Sequence, residues 1–335
     1  MIQFFLFLGG ISLFLYGMQI MGDALQQAAG ARLQRILEKL TSKTIYGVAL
    51  GAGVTAVLQS SGATTVMTVG LVNTGIMNLE QAFGIVMGAN IGTTMTAQLI
   101  AFNLTDYITL ILAIGFLMKT IAHKRSLQNL GMVLLGFGIL MLGMSMMSNA
   151  AVPLRNDPRV VELLSKFSDH PLLGMLTGLC MTIIIQSSSA TIGILMAMAG
   201  QGLIPLEGAV AVILGDNIGS CITVVIATIQ SGLNAKRVAM SHVMFNLIGS
   251  IIALTLMHQY IAMVRAISPA GNIGRQIANA HTLFNVVNTC LFLPFAGHFT
   301  QLIKKIMPGE EPVISYQPQF LDKNVLNTPA VALGL

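Results

Sequence analysis

Two short stretches carry the same polar side chains in the same order inside otherwise apolar sequence: QSSGAT at 59–64 and QSSSAT at 186–191. Such groups are neutral ligands of two kinds. Hydroxyl and amide oxygens coordinate a hard cation, while O–H and N–H groups donate to an anion. Each stretch is followed at the same distance by a second polar piece, MGANIGTT at 87–94 and LGDNIGSC at 214–221, which sets Asn90 and Asn217 between paired glycines. A single Ser-Ser in an apolar helix reads as packing or as back-bonding to the preceding turn. Two copies in register read as a binding site. Asp216 replaces Ala89 of the first copy and is the one acid in the middle of a predicted apolar segment. A carboxylate at membrane depth is a functional group by default, here for a cation or for a proton.

The elements that must position these groups repeat as well. Residues 47–101 align without a gap on 174–228 at a constant offset of 127, with 17 of 55 positions identical, including Gln59/Gln186, Ser60/Ser187, Ser61/Ser188, Thr64/Thr191 and Glu80/Glu207. A weaker echo links LYGMQIM at 15–21 with MLGMSMM at 141–147. Internal self-similarity of this kind marks two homologous halves.

Composition fixes the solvent around both halves. Hydrophobic residues make up 54% of the 335-residue chain and charged residues 9%, far below the roughly 25% of a soluble domain, and the mean hydropathy is +0.79. The chain reads as an all-α polytopic membrane protein. The net charge of +5 does not imply nucleic acid, because the basic residues fall between apolar segments without aromatic interleaving. Cys180, Cys221 and Cys290 lie singly in apolar runs, which argues against a disulfide framework or a zinc site. The opening MIQFFLFLGG lacks a basic start and a cleavage site, so it reads as a retained first helix.

Apolar segments fall at about 2–22, 47–72, 80–102, 106–122, 128–148, 174–199, 207–229, 240–262 and 280–303. If 47–72 and 174–199 are re-entrant hairpins, the loops at 23–46, 119–126 and 230–239 and the C-terminal end share one face with 12 of the 17 Lys and Arg. Arg155, Arg159, Lys166, Arg265 and Arg275 take the other face. The positive-inside rule then puts the N-terminus outside and the C-terminus in the cytoplasm of a multi-pass cell (inner) membrane protein, with the two halves inverted. QSS lies near the centre of each hairpin, about 18 Å along an arm of roughly 12 helical residues and so near the bilayer midplane. The glycine-flanked asparagines predict broken helices at 80–102 and 207–229, whose half-helix ends attract ions. Glu80 and Glu207 read as acids at helix N-termini, and the two H-x-x-F-N copies, His242 with Asn246 and His281 with Asn285, as interhelical bonding or ligand handling.

The duplicated Q-S-S-[SG] and G-x-N-I-G-[TS] motifs, with H-x-x-F-N after them, resemble the sodium/phosphate cotransporter family, over residues 1–305. The resemblance implies Na⁺-driven symport of inorganic phosphate, with no cofactor beyond the coupling ion and no enzymatic activity. Ser60, Ser61, Thr64, Ser187, Ser188 and Thr191 are the candidate phosphate ligands on this basis. Gln59, Asn90, Thr93, Thr94, Gln186, Ser189, Asp216, Asn217 and Thr223 are the candidate Na⁺ ligands. Three departures stand out. Gly62 occupies the place of a third serine, the family's H-D-x-F-N after the first repeat has no counterpart near 120–130, and neither H-x-x-F-N copy carries the aspartate.

The halves are expected at 1–126 and 127–305, and 306–335 resembles the linker into a cytoplasmic PhoU-like domain, expected as a missing domain or a separate regulatory partner. A homodimer is compatible with the sequence. Export of phosphate, or Na⁺-coupled carriage of another small anion, would need the same physics. An intramembrane serine hydrolase is the reading of another class, and three adjacent duplicated hydroxyls suit it poorly, since one activated nucleophile needs one base.

Overall fold

The computed structural model describes residues 2–29, 44–102, 104–156 and 170–309. The tail at 310–335, most of the basic loop at 23–46, Arg159 and Lys166 lie outside the described residues. Every regular element among those described is helical, as lipid requires of a chain that must satisfy its own backbone groups. Five helices are long and apolar enough to cross a membrane, six if Leu79–Ile100 and Thr105–Ile121 form one bent span.

The first of them is α1 (Ile2–Ala29). The apolar segment at 47–72 is then two short helices, α2 (Thr44–Leu58) and α3 (Ser61–Asn73). After α4 (Leu79–Ile100), α5 (Ile108–Ile121) and α6 (Arg125–Ala151), the pattern recurs, and 174–199 becomes α7 (Pro171–Ile185) and α8 (Ser188–Gly200). At 13 to 15 residues each arm is about 20–22 Å long, short of a hydrocarbon core of about 30 Å. Neither arm of either pair crosses alone. Thr55 Oγ1 donates to Thr64 Oγ1 at 2.8 Å, and Thr182 and Thr191 join their hydroxyls at 2.9 Å, so the two arms of each pair lie side by side.

The expectation of two broken helices needs correction. In the first half α4 runs unbroken through Gly88, Asn90 and Gly92. In the second half α9 (Leu206–Gly219) does end at GDNIG, and α10 (Ile222–Thr228) begins beyond Ser220 and Cys221. The glycines serve contact rather than breakage. A Cβ on Gly88 would lie 2.0 Å from the Val48 carbonyl oxygen, and one on Gly215 would lie 1.8 Å from that of Met175. Reciprocally, a Cβ on Gly51 would meet Ile85 O at 2.2 Å and one on Gly178 would meet Val212 O at 2.0 Å. Residues without side chains let the helix backbones approach this closely, which holds each first arm rigidly against the helix that follows its pair.

A second glycine seam joins α1 to α6. Gly17 faces Leu140 and Gly143 faces Phe14, each backbone so near that an added Cβ would come within 2.4 Å of the opposing nitrogen. Gly10 against Met147 and Gly136 against Met21 repeat the exchange. The partners in these pairs are related by 126 residues, and the numbering rises on one helix as it falls on the other. The expected segments at 240–262 and 280–303 each begin seven residues early and divide, giving α11 (Leu233–Thr255), α12 (Met257–Ala266), α13 (Ile273–Phe292) and α14 (Ala296–Ile306).

Candidate functional site

The breaks between the paired helices have the same backbone in both halves. Gln59 and Gln186 sit at φ 54° and 56°, the only non-glycine residues with positive φ among the described residues. Left-handed backbone costs a residue with a Cβ about 1–2 kcal/mol, and strain of this kind collects at binding sites. Ser60 and Ser187 then cap the second arms, their hydroxyls accepting from Ala63 N at 3.1 Å and Ala190 N at 3.3 Å. The side chain of Gln59 is locked between Ala56 O, to which it donates, and Thr96 Oγ1, from which it accepts at 2.5 Å.

Both breaks line one cavity of about 90 Å³. Its walls include Gln59, Ser60 and Ser61 from one tip, Gln186, Ser187, Ser188 and Ser189 from the other, and Thr93 and Thr223 from the helices behind them. The volume exceeds by several fold the roughly 10–15 Å³ that one water needs by this measure. Among the described residues, no charged side chain and no histidine lines it. Positive potential comes instead from the N-termini of α3 and α8, which open onto it through their caps; a helix start carries about half an elementary charge and binds anions. Hydroxyls and two helix starts suit an oxyanion, and the clustered oxygens suit a small cation beside it.

Gly62 also has its reason here. A Cβ at that position would lie 3.0 Å from the Thr223 methyl across the cavity, so the missing third serine coincides with a close approach of the two halves.

Six of the fifteen candidate residues do not line the cavity. Thr64 and Thr191 face the partner arm and tie each pair together. Thr94 is buried and donates to Ile91 O at 2.8 Å. Asn90 lies 3.1 Å from His242 Nε2 and accepts from Asn246 Nδ2 at 3.2 Å, so one H-x-x-F-N copy joins α11 to the first half. Asn217 donates to Ile213 O, and its own carbonyl accepts from Ser220 at the start of the helix break. Asp216 is fully buried behind the cavity wall. Thr182, which does line the cavity, donates to Asp216 Oδ1 at 2.6 Å, while Oδ2 has no hydrogen-bond partner.

Thr55 and Thr182 escaped the sequence reading, as did Thr96 and Ser220. Thr55 and Thr182 were identical across the 127-residue offset, the one signal that could have singled them out. Glu80 accepts from Thr44 at 3.1 Å and Glu207 pairs with Arg265 at 2.6 Å.

Residues 13–149 and 154–304 match the family described as Na⁺/Pi-cotransporter. The chain belongs to that family. It is 33% identical over 259 residues to the uncharacterized protein YqeW of Bacillus subtilis, 77% of this chain and 84% of that one. It is 29% identical over 251 residues to YjbB of Escherichia coli K12, whose name marks it as a candidate inorganic phosphate export protein, and spans 46% of that longer chain. A 98-residue stretch is 33% identical to the sodium-dependent phosphate transport protein 2A of Rattus norvegicus, covering 29% of this chain and 15% of the relative. No solved structure matches. The family and the apolar helices make this a multi-pass membrane protein of a phosphate-transporter family.

Proposed function

We propose that this protein is a secondary transporter that carries inorganic phosphate together with Na⁺ through the cavity between the two QSS tips. One observation carries the reading: two helix N-termini and a ring of hydroxyls converge on a single cavity with no base among its lining groups. Phosphate would meet Ser60, Ser61, Ser187 and Ser188. Na⁺ would take the amide and hydroxyl oxygens of Gln186, Ser189 and Thr223, with Asp216 supplying negative charge from behind Thr182. Among the described residues the cavity wall has no histidine, lysine or acid to activate a serine, which argues against a hydrolase.

The alternating mechanism we favour makes α2–α3 and α7–α8 re-entrant hairpins in inverted halves at 1–126 and 127–305, with the N-terminus outside and the C-terminus in the cytoplasm of the inner membrane. Arms too short to span and the paired exchange of contacts between α1 and α6 support it, because an in-plane two-fold relates antiparallel copies. The name of YjbB gives one reason to weigh outward transport. The same cavity serves either direction, and gradients decide.

The test is uptake of labelled phosphate into proteoliposomes with an inward Na⁺ gradient, an equal K⁺ gradient, and none. Uptake stimulated by Na⁺ alone is expected. Equal rates in all three would overturn the coupling, and labelled sulfate or succinate moving in place of phosphate would overturn the substrate.

A further inference from the structure

A second cavity, of about 260 Å³, adjoins the first tip. Gln59 and Ser60 line both cavities and so stand as the partition between them. Its other wall is one face of α1, where Met18 and Gly22 give way to Gln19, Asp23 and Gln26. Gly22 brings α1 up to the tip: a Cβ there would touch Leu58 O and Gln59 Cβ at 3.8–3.9 Å, ordinary contact distance. Asp23 is the only charged residue among the described lining residues.

The matching flank of the other half differs in its side chains. Offset by 126, Asn149 stands for Asp23 and Ser145 for Gln19. Along that flank Ser148 donates to Ala197 O at 3.5 Å, and Ala190 is 1% exposed. Its counterpart Ala63, on the first tip, is exposed. The acid beside the first tip therefore has no acidic equivalent at the matching place beside the second.

We propose that the face of α1 bearing Gln19, Asp23 and Gln26 forms a cation antechamber, in which a monovalent cation such as Na⁺ is held next to Ser60 before or after it occupies the central cavity. The proposal rests on the transport reading. A carboxylate flanked by two amide oxygens and a hydroxyl is an all-oxygen set for a hard cation, and a carboxylate in the wall disfavours phosphate. In the topology favoured above, this is the station on the cytoplasmic side, where α1 ends. Single-signed charge at the mouth of a narrow path concentrates the ion of opposite sign.

Binding of ²²Na⁺ to the purified protein tests it without requiring transport. Asp23→Asn should remove one class of bound Na⁺ or weaken it at least fivefold, Asp23→Glu should retain it, and Gly22→Leu, which fills the space beside the tip, should reduce it as Asp23→Asn does. Monodisperse elution on size exclusion checks that each variant is folded. A binding isotherm for Asp23→Asn that overlays that of the wild type overturns the antechamber. Loss of the site in Asp23→Asn together with an absence of Na⁺-stimulated phosphate uptake in the wild type would leave the antechamber standing and remove the transport reading, so the two failures are distinguishable.

Discussion

At the scale of single residues, the chemistry turns on hydroxyls in contact with the cavity and on one acid behind it. Ser61 and Ser188 are the first helical residues of α3 and α8 and line the cavity. Replacing either by alanine removes a hydroxyl, the proposed phosphate ligand, without opening a packing defect. Ser61→Ala and Ser188→Ala should each abolish phosphate uptake while yield and melting temperature stay near those of the wild type; a packing role predicts the reverse, lower stability with transport per folded molecule unchanged. Asp216 is buried, with one oxygen bound to Thr182 and the other without a hydrogen-bond partner. A charge there is costly unless an ion accompanies it. Asp216→Asn keeps the acceptor for Thr182 and removes the charge, and it should weaken apparent Na⁺ affinity at least tenfold, about 1.4 kcal/mol. Na⁺ activation curves measured at two pH values read the result. Transport that instead becomes independent of pH at low Na⁺ in the variant, with Na⁺ affinity unchanged, would assign Asp216 to a proton, and no change in either would make it structural.

At the scale of elements, the glycines decide how firmly the tips are held. Gly88 and Gly215 abut the Val48 and Met175 carbonyls, while Gly53 on α2 and Gly70 on α3 face open space. Alanine at Gly88 or Gly215 forces backbone apart and should cost about 1–3 kcal/mol. Alanine at Gly53 or Gly70 should be neutral or stabilising by up to about 1 kcal/mol, since glycine is the poorer helix former. Thermal unfolding in detergent compares the four, and a Gly88→Ala protein as stable as the wild type would remove the seam from the account. The sequence showed the two tips plainly, because a run of hydrogen-bonding side chains in apolar sequence has few structural explanations and a duplicated one fewer still. It did not distinguish a glycine that ends a helix from one that admits a neighbouring backbone, since both uses leave the same letter. Hence G-x-N-I-G was read as a break in both halves, whereas α4 is continuous. Thr182 stayed hidden for a related reason: a threonine in an apolar helix reads as packing until its acidic partner is located in space.

At the scale of the whole molecule, the contacts between α1 and α6 bear on topology. Gly17 facing Leu140 and Gly143 facing Phe14 are one contact seen twice, after a shift of 126 residues. Contacts that repeat in this way, with opposite chain direction, fit the proposed two-fold axis across both helices, under which whatever faces one side of the membrane in the first half faces the other in the second. Charge orients the pair. Lys124 precedes α6, Lys236 lies at the start of α11, and Arg155 follows α6, all three exposed. With both paired helices re-entrant, the first two belong to the cytoplasmic face and the third to the outside. If instead each pair crossed the membrane, the number of crossings between Lys124 and Lys236 would change from even to odd. Cysteines placed singly at these positions in a background lacking Cys180, Cys221 and Cys290, and probed with a membrane-impermeant maleimide on intact cells and on inverted vesicles, read that parity directly. Labelling at 124 and 236 from the vesicle side and at 155 from the cell side is the expected outcome. Labelling of 124 and 236 from opposite sides would mean that α7–α8 crosses the membrane, and an inverted relation between the halves could not then hold.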